Sequence, residues 1–312
     1  MITFFKTTPN GLFEADTFQN NYWTNATAPT EAETLYLLDK LQIPEAFYND
    51  IADIDERPRI EIENGWTLII IRIPFKSSDE KLPFNTAPLG FIFKGDIFVS
   101  LCFEPTEVLT DFVNYTQRKK IEITSHYDFV LKMLLSSSVW FQKYLKQINR
   151  RIKLAENNLE KSIRNEDLQA LLQIEKCLVF FITSLKGNDM LFHRLKNLKN
   201  LRDSFDPELL EDVEIELRQA EETTNIYSNI LTGMMDAYAS VISNNLNIIM
   251  KRLTSISIIL MIPTLIASFY GMNVPNNFEN NNFGFWLVAL LSLSITAVGV
   301  FLFKKKNLFW VN

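Results

Sequence analysis

The sequence predicts an α+β cytoplasmic domain, a very long helix that continues into a membrane, and a second membrane helix, two transmembrane helices per chain. Three observations carry this reading. Two uncharged apolar stretches lie near the carboxyl end, no proline interrupts the chain between Pro207 and Pro263, and the first third carries strand-like runs.

The first apolar stretch, residues 253–270 (LTSISIILMIPTLIASFY), and the second, residues 284–303 (GFWLVALLSLSITAVGVFLF), contain no charged residue. At about 1.5 Å of rise per residue, each is long enough for a hydrocarbon core of about 30 Å. Lys251 and Arg252 precede the first stretch, and Lys304, Lys305 and Lys306 follow the second. The connecting residues 271–283 hold Glu279 and no Lys or Arg. Cytoplasmic loops collect the cations, so both termini are expected inside and the short loop outside. Tyr270, Phe283, Phe285 and Trp286 then fall at the outer interface, and Phe309 and Trp310 near the inner one. The start, MITFFKTTPNG, has no long apolar region and is not a secretory signal.

In the first third, residues 66–75 and 89–103 are rich in β-branched and aromatic residues, which suit strands. Lys94-Gly95-Asp96 divides the second run as a hairpin turn. Residues 31–41 and 44–54 read as short helices, and residues 76–88 as a loop. From Ser125 the period becomes helical. Ser125 and Asp128 resemble a capping box, and a helix is expected to about residue 163. Asn165 is expected to cap the next helix, with Glu166 and Asp167 in its positive first turn, running towards residue 201. Asp206 suits the N-cap of a third helix and Pro207 its first position. Gly233 is tolerable, so this helix is read as continuous from 207 to 270, roughly 95 Å long. A symmetric oligomer with a central stalk needs such a helix; a globular monomer does not.

The predicted divisions are therefore a cytoplasmic α/β domain (1–124), long antiparallel helices (125–205), and a stalk helix continuing as the first membrane helix (206–270, its membrane part about 253–270). An external loop (271–283), the second membrane helix (284–303) and a basic cytoplasmic tail (304–312) follow.

Along the long helix, Asn247, Met250, Leu253, Ser257, Met261, Thr264 and Ser268 recur at steps of three or four and share one face, leading to Gly271. Helix packing alone can produce such a stripe. Its carboxamide, hydroxyl and thioether groups also suit a water-lined path, since polar groups within a membrane face protein or water. The two readings are compatible if several copies surround an axis.

The loop opens with Tyr270-Gly271-Met272-Asn273. Here the sequence resembles the CorA family of divalent-cation transporters, whose Gly-Met-Asn signature sits between its two membrane helices after an aromatic residue. Residues 53–61 (DIDERPRIE) also resemble that family's amino-terminal segment. The resemblance spans the whole chain in architecture. It implies a funnel-shaped homopentamer in the plasma membrane, carrying hydrated Mg2+, with Co2+ and Ni2+ as further cargo. It implies a selectivity filter at Gly271, Met272 and Asn273, and pore positions at Asn247, Met250, Leu253, Met261, Thr264 and Asn273. Met250 and Leu253 match its hydrophobic constriction, and Asp236 a lower acidic pore position, with an exposed stalk residue as the alternative. The resemblance also implies a regulatory Mg2+ between subunits at Asp212, beside Glu211, facing Asp79 or Glu80 of a neighbour and closing the pore when occupied.

Magnesium holds oxygen at about 2.0–2.1 Å and dehydrates reluctantly. A ring of Asn273 carboxamides is suited to grip the ion's waters and release them, although Gly271 and Asn273 equally suit a helix C-terminal cap. Glu279, the one charge of the loop, is either an attractor of cations or a solvated loop residue. The loop's Asn-rich sequence is less acidic than is usual in the family. Between Asp206 and Glu222, eight acids face Arg218 alone, a solvated face or a set of carboxylates bridged by cations.

Composition excludes other classes. A net charge of −6 argues against nucleic acid as a partner. Two cysteines, Cys102 and Cys177, give no disulfide framework, and His126 and His193 lack metal-ligand spacing. No phosphate-binding loop or nucleophile elbow is present, so the expectation is a non-enzyme without organic cofactor. Its partners are membrane lipid, divalent ions and further copies of itself. Two alternatives are a zinc transporter of the related branch, and a non-transporting, membrane-anchored oligomeric sensor or scaffold.

Overall fold

A computed structural model describes residues 1–79, 82–161, 165–198, 205–272 and 283–305. The chain divides into two compact units, Met1–Gly233 and Met234–Asn312.

The first unit is built on a seven-stranded sheet. Its strands are β1 (Ile2–Thr8), β2 (Gly11–Ala15), β3 (Trp23–Thr27), β4 (Arg59–Glu63), β5 (Trp66–Lys76), β6 (Phe84–Lys94) and β7 (Ile97–Cys102). Their order is β2-β1-β3-β7-β6-β5-β4, antiparallel throughout except for the parallel pair β3 and β7. The β6–β7 hairpin turns at Lys94-Gly95-Asp96 as the sequence predicts, with Gly95 at φ +56° and Lys94 opposite Ile97. The predicted loop 76–88 is shorter than expected. Phe84 already pairs with Lys76, and its buried ring touches Tyr144, so burial draws the strand back to residue 84.

Strand side chains alternate between two faces, as a period of two requires. One face carries Trp66, Leu68, Ile70, Ile92, Val99 and Leu101. It is covered by α1 (Glu31–Leu35), a π-helical turn over Tyr36–Lys40, and α2 (Glu45–Ala52), through Leu37, Leu41, Phe47 and Ile51. The other face packs against α3 (Glu107–Lys119), α4 (His126–Lys161) and α5 (Asn165–Lys196). Phe129 of α4 anchors it, with its ring 4.8–5.8 Å from those of Trp23, Phe91, Phe98 and Phe112. Central strands sandwiched this way are apolar on both faces, which explains the unbroken run in β5.

Helix starts follow the capping chemistry. Ser125 Oγ accepts from the Asp128 N–H at 3.1 Å, and Asp128 Oδ2 accepts from the Thr124 N–H at 2.9 Å. The reciprocal bond therefore reaches one residue further back than in a standard capping box. α5 begins at Asn165 itself; residues 162–164 lie outside the described set. Asp206 Oδ1 accepts from the Glu208 N–H at 3.0 Å, and Pro207 opens α6. α6 runs without interruption over Pro207–Tyr270, 64 residues, with Pro263 inside it.

In the second unit, α6 is joined by α7 (Gly284–Lys305). Three helices among the described residues are long and apolar enough to cross a membrane: α5, α6 and α7. Their burial separates them. Of each apolar window, 39% is buried in α5, 6% in α6 and 0% in α7. α5 spends its apolar face on α4 and the sheet.

Candidate ion path and regulatory acids

Each side chain of the predicted stripe, Asn247, Met250, Leu253, Ser257, Met261, Thr264 and Ser268, is exposed on α6. The opposite side of the helix meets α7. Ser255 is buried, Ile259, Ile262 and Ile266 are half-buried, and Ile262 Cδ1 lies 3.5 Å from where a Cβ on Gly299 would sit. At about 100° per residue, these four positions centre about 160° away from the stripe. α7 therefore leaves the stripe uncovered.

Two of the three hydroxyls on that stripe have a defined polarity. Ser257 Oγ donates to the Leu253 carbonyl at 2.9 Å, and Thr264 Oγ1 to the Leu260 carbonyl at 3.0 Å. Each proton is committed to the backbone, so each oxygen turns only lone pairs outward. Back-bonding of this kind also lets hydroxyls survive in hydrocarbon, and Ser294 and Thr296 of α7 do the same.

The filter residues stand at the end of α6. The Gly271 N–H donates to the Ala267 carbonyl at 2.9 Å and Gly271 has no left-handed φ, so a left-handed cap is not formed there. Met272 is exposed. Asn273 and Glu279 lie outside the described residues, as does Lys306. Lys251, Arg252, Lys304 and Lys305 are exposed on α6 and α7, and Asp236 is exposed on α6.

In the first unit, Asp212, Glu211 and Asp79 are exposed, and Glu80 lies outside the described residues. Asp79 sits in a tight turn: its N–H donates to Ser77 Oγ at 3.1 Å, and its carbonyl accepts from the Leu82 N–H at 3.1 Å. Among the described residues, no group of three or more His, Cys, Asp or Glu is gathered to hold a metal. The acidic start of α6 is partly tied down. Lys196 Nζ reaches Glu214 at 2.9 Å, Arg218 reaches it at 3.1 Å, and Gln142 Nε2 donates to Glu216 at 2.7 Å. The Lys196 hydrogen bond holds the Glu214 carboxyl below the usual carboxylate range. Asp212 and Glu211 are left facing outward.

Two further features of the first unit were not read from the sequence. Arg59 gathers Asp50 at 2.6 Å, Glu61 at 3.3 Å and Glu56. Arg72 lies buried beneath the turn at 53–56, donating to the carbonyls of Ile54, Glu56 and Thr86 and to Thr86 Oγ1. Burial lowers its pKa, and Asp55, Asp53 and Glu56 oppose that shift. Pro88 stands opposite Arg72 in the sheet and has no N–H to give. Asn188 of α5 takes its place, accepting from the Arg72 N–H and donating to the Arg72 carbonyl, both at 2.8 Å. A lone cation in the run WTLIIIRIPF is the signal that marks this hub. Cys102, by contrast, is inert: burial pushes its thiol up to about 12. His126 stacks on Phe98 with ring centroids 4.6 Å apart, and burial lowers its pKa.

Comparison with known proteins supports one family. The cobalt/magnesium transport protein CorA of Methanocaldococcus jannaschii is 26% identical over 294 residues, covering 93% of this chain and 91% of that one. The corresponding protein of Thermotoga maritima is 24% identical over 267 residues, covering 83% and 74%. The complete structure of the CorA magnesium transporter from Methanocaldococcus jannaschii superposes with a TM-score of 0.80 at 24% identity, covering 98% of each chain. The profile described as CorA-like Mg2+ transporter protein matches residues 18–305. With the α+β amino-terminal domain, the long α6 and the apolar α7 in place, the chain belongs to this family, one of ion transporters and not of enzymes.

Proposed function

We propose that the chain is a channel-like transporter that carries hydrated Mg2+ across the plasma membrane down its electrochemical gradient, with Co2+ and Ni2+ as further cargo. Family membership and relatives named for cobalt and magnesium transport support divalent-cation transport. The observation that carries the path is the α6 stripe: it lies opposite the α7 contact and presents hydroxyl oxygens whose protons are already committed. Waters around a dication point their hydrogens outward and need acceptors. Ser257 and Thr264 offer only acceptors, so the stripe suits an ion that keeps its hydration shell.

In this reading α6 and α7 are the two membrane helices, both termini are cytoplasmic, and five copies surround the α6 stripe. The proposed divisions are those given above, with 253–270 and 284–303 in the membrane. Gly271, Met272 and Asn273 form the filter, Met250 and Leu253 the constriction, and Asn247 holds a hydrated ion inside it. Glu279 concentrates cations at the mouth, and Asp236 lines the lower path. Intracellular Mg2+ at Asp212 and Glu211, with Asp79 or Glu80 of a neighbour, bridges subunits and holds the path closed.

The test is metal flux in proteoliposomes, with Asn273 intact and with Asn273→Ala, for Mg2+, Co2+, Ni2+ and Zn2+ separately. The intact chain is expected to pass Mg2+ and the variant to lose at least about tenfold, a transition-state cost of about 1.4 kcal/mol. Equal flux from both chains, or flux of Zn2+ alone, sinks the proposal.

A further inference from the structure

We infer that a groove between α6 and α7, at their Lys251 and Phe303 end, holds an anionic phospholipid. This inference rests on the reading of α6 and α7 as membrane helices. The groove encloses about 360 Å³ and is lined by Lys251, Thr254, Ser255 and Ile258 of α6 and by Phe303 of α7. Asn247 and Met250 form its other margin.

The lining changes character along the helix. Asn247 and Lys251 make one end polar, and Ile258 with the Phe303 ring makes the other apolar. From 251 to 258 the helix rises about 10 Å, so the groove starts at the proposed membrane boundary and enters the inner half of a hydrocarbon core of about 30 Å. Thr254 and Ser255 place hydroxyls in the middle, but their protons are committed to the Met250 and Lys251 carbonyls at 2.8 Å, so they offer no donor to an anion there. A cation at the boundary end of a groove whose inner end is apolar matches a headgroup phosphate above an acyl chain. A free anion would fill only the Lys251 end.

Charge selects the headgroup. Lys251, Arg252, Lys304 and Lys305 lie at this end of the helix pair, and no Asp or Glu occurs in residues 237–272 or 283–305. The one described carboxylate of this unit, Asp236, lies fifteen residues before Lys251 on α6, about 22 Å along the helix, too far to pair with these cations. A zwitterionic lipid brings no net charge to the site, whereas phosphatidylglycerol brings one negative charge per molecule. Basic pockets between membrane helices on the cytoplasmic side are suited to such headgroups. The same occupant would touch Met250, a constriction residue in the proposed path, and so brace α6 where flux is controlled.

The experiment uses the full chain purified from nanodiscs of phosphatidylcholine and phosphatidylglycerol, with retained lipid counted by native mass spectrometry. The wild-type chain is expected to retain phosphatidylglycerol in preference to phosphatidylcholine. Lys251→Gln should reduce that retention at least fivefold, and Lys251→Arg should keep it. Arg252→Gln is the control: it removes the same charge one residue along, outside the groove lining, and should change retention less than twofold. Equal losses from Lys251→Gln and Arg252→Gln would mean diffuse attraction to the helix ends and would overturn the site. In a second arm, inorganic phosphate is titrated onto the detergent-purified chain. Lys251-dependent thermal protection by phosphate alone would assign the groove to a free anion and also overturn it. Neither arm measures flux, so a chain that fails to transport metal can still retain lipid, and the reverse.

Discussion

The two units of this chain treat apolar side chains in opposite ways. In Met1–Gly233 they are turned inward: Leu68, Ile70, Phe91, Leu101 and Phe129 are all within 1% of full burial. In Met234–Asn312, Ser255 and Gly284 are the only buried residues among those described, while Leu290 and Leu293 are 70% and 71% exposed. The first unit can bury its apolar surface by itself in water. The second cannot, and it requires lipid or further copies to cover it. A domain with its own core and a helix pair that needs outside cover are thus different physical objects within one polypeptide, and substitutions should sort accordingly.

The strongest way to break that contrast is a paired truncation. Phe129→Ala removes a ring that touches four other aromatic rings. It should destabilise the first unit by about 3–5 kcal/mol. Leu293→Ala removes a side chain that is 71% exposed, and its cost should stay within about 0.5 kcal/mol. Thermal unfolding of the full chain in one detergent compares the two. Similar losses would mean that the second unit carries a packed core of its own.

A functional version of the same contrast uses Asp212. It lies in the first unit, exposed and outside the lysine and arginine contacts that hold Glu214. Asp212→Lys should leave the conducting path intact and weaken closure by intracellular Mg2+, so current persists at Mg2+ levels that silence the wild type. Asn273→Ala should instead remove current at every Mg2+ level. If Asp212→Lys leaves Mg2+ inhibition unchanged, the proposed regulatory site is wrong, while the filter proposal stands.

The same division explains how much the sequence discloses. α4 and α6 are legible because their starts are local chemistry: Ser125 with Asp128, and Asp206 with Pro207, act over at most four residues. Strands β1, β2, β3 and β4 and helix α3 escaped the reading. Their side chains are partly exposed, so no unbroken apolar run marks them, and their pairing joins Trp23 to Phe98 across 75 residues of chain. The Arg72 hub is less legible still, since its ladder partner Asn188 lies 116 residues away. In the candidate path, spacing gives the stripe from Asn247 to Ser268. Which face α7 would cover is not in the pattern, because α7 is apolar all round and has no preferred side. Close approach at Gly299 to Ile262 decides it.

The smallest effect concerns the amino-terminal edge of the first unit. Glu33 accepts from the Thr30 N–H at 2.8 Å and the Ile2 N–H at 2.7 Å, and faces the Met1 ammonium at 3.0 Å. The Thr30 hydrogen bond does most to lower its pKa from 4.5 to about 2; partial burial opposes the shift, and the Met1 and Ile2 contacts reinforce it. A carboxyl depressed on folding binds its proton more readily in the unfolded chain. Its contribution is therefore complete above about pH 4.5 and fades as pH falls towards 2. The Glu33 side chain keeps about a quarter of its surface in water and Met1 is largely exposed, so screening keeps the effect modest. Glu33→Gln should unfold more easily than wild type at pH 7, and the gap between them should close as the pH is lowered through that window. Unfolding midpoints measured at pH 7, 4.5 and 3 would show it. A gap of constant size would mean that the Glu33 contacts act through shape and not through charge, and that the first unit holds the start of β1 without electrostatic help.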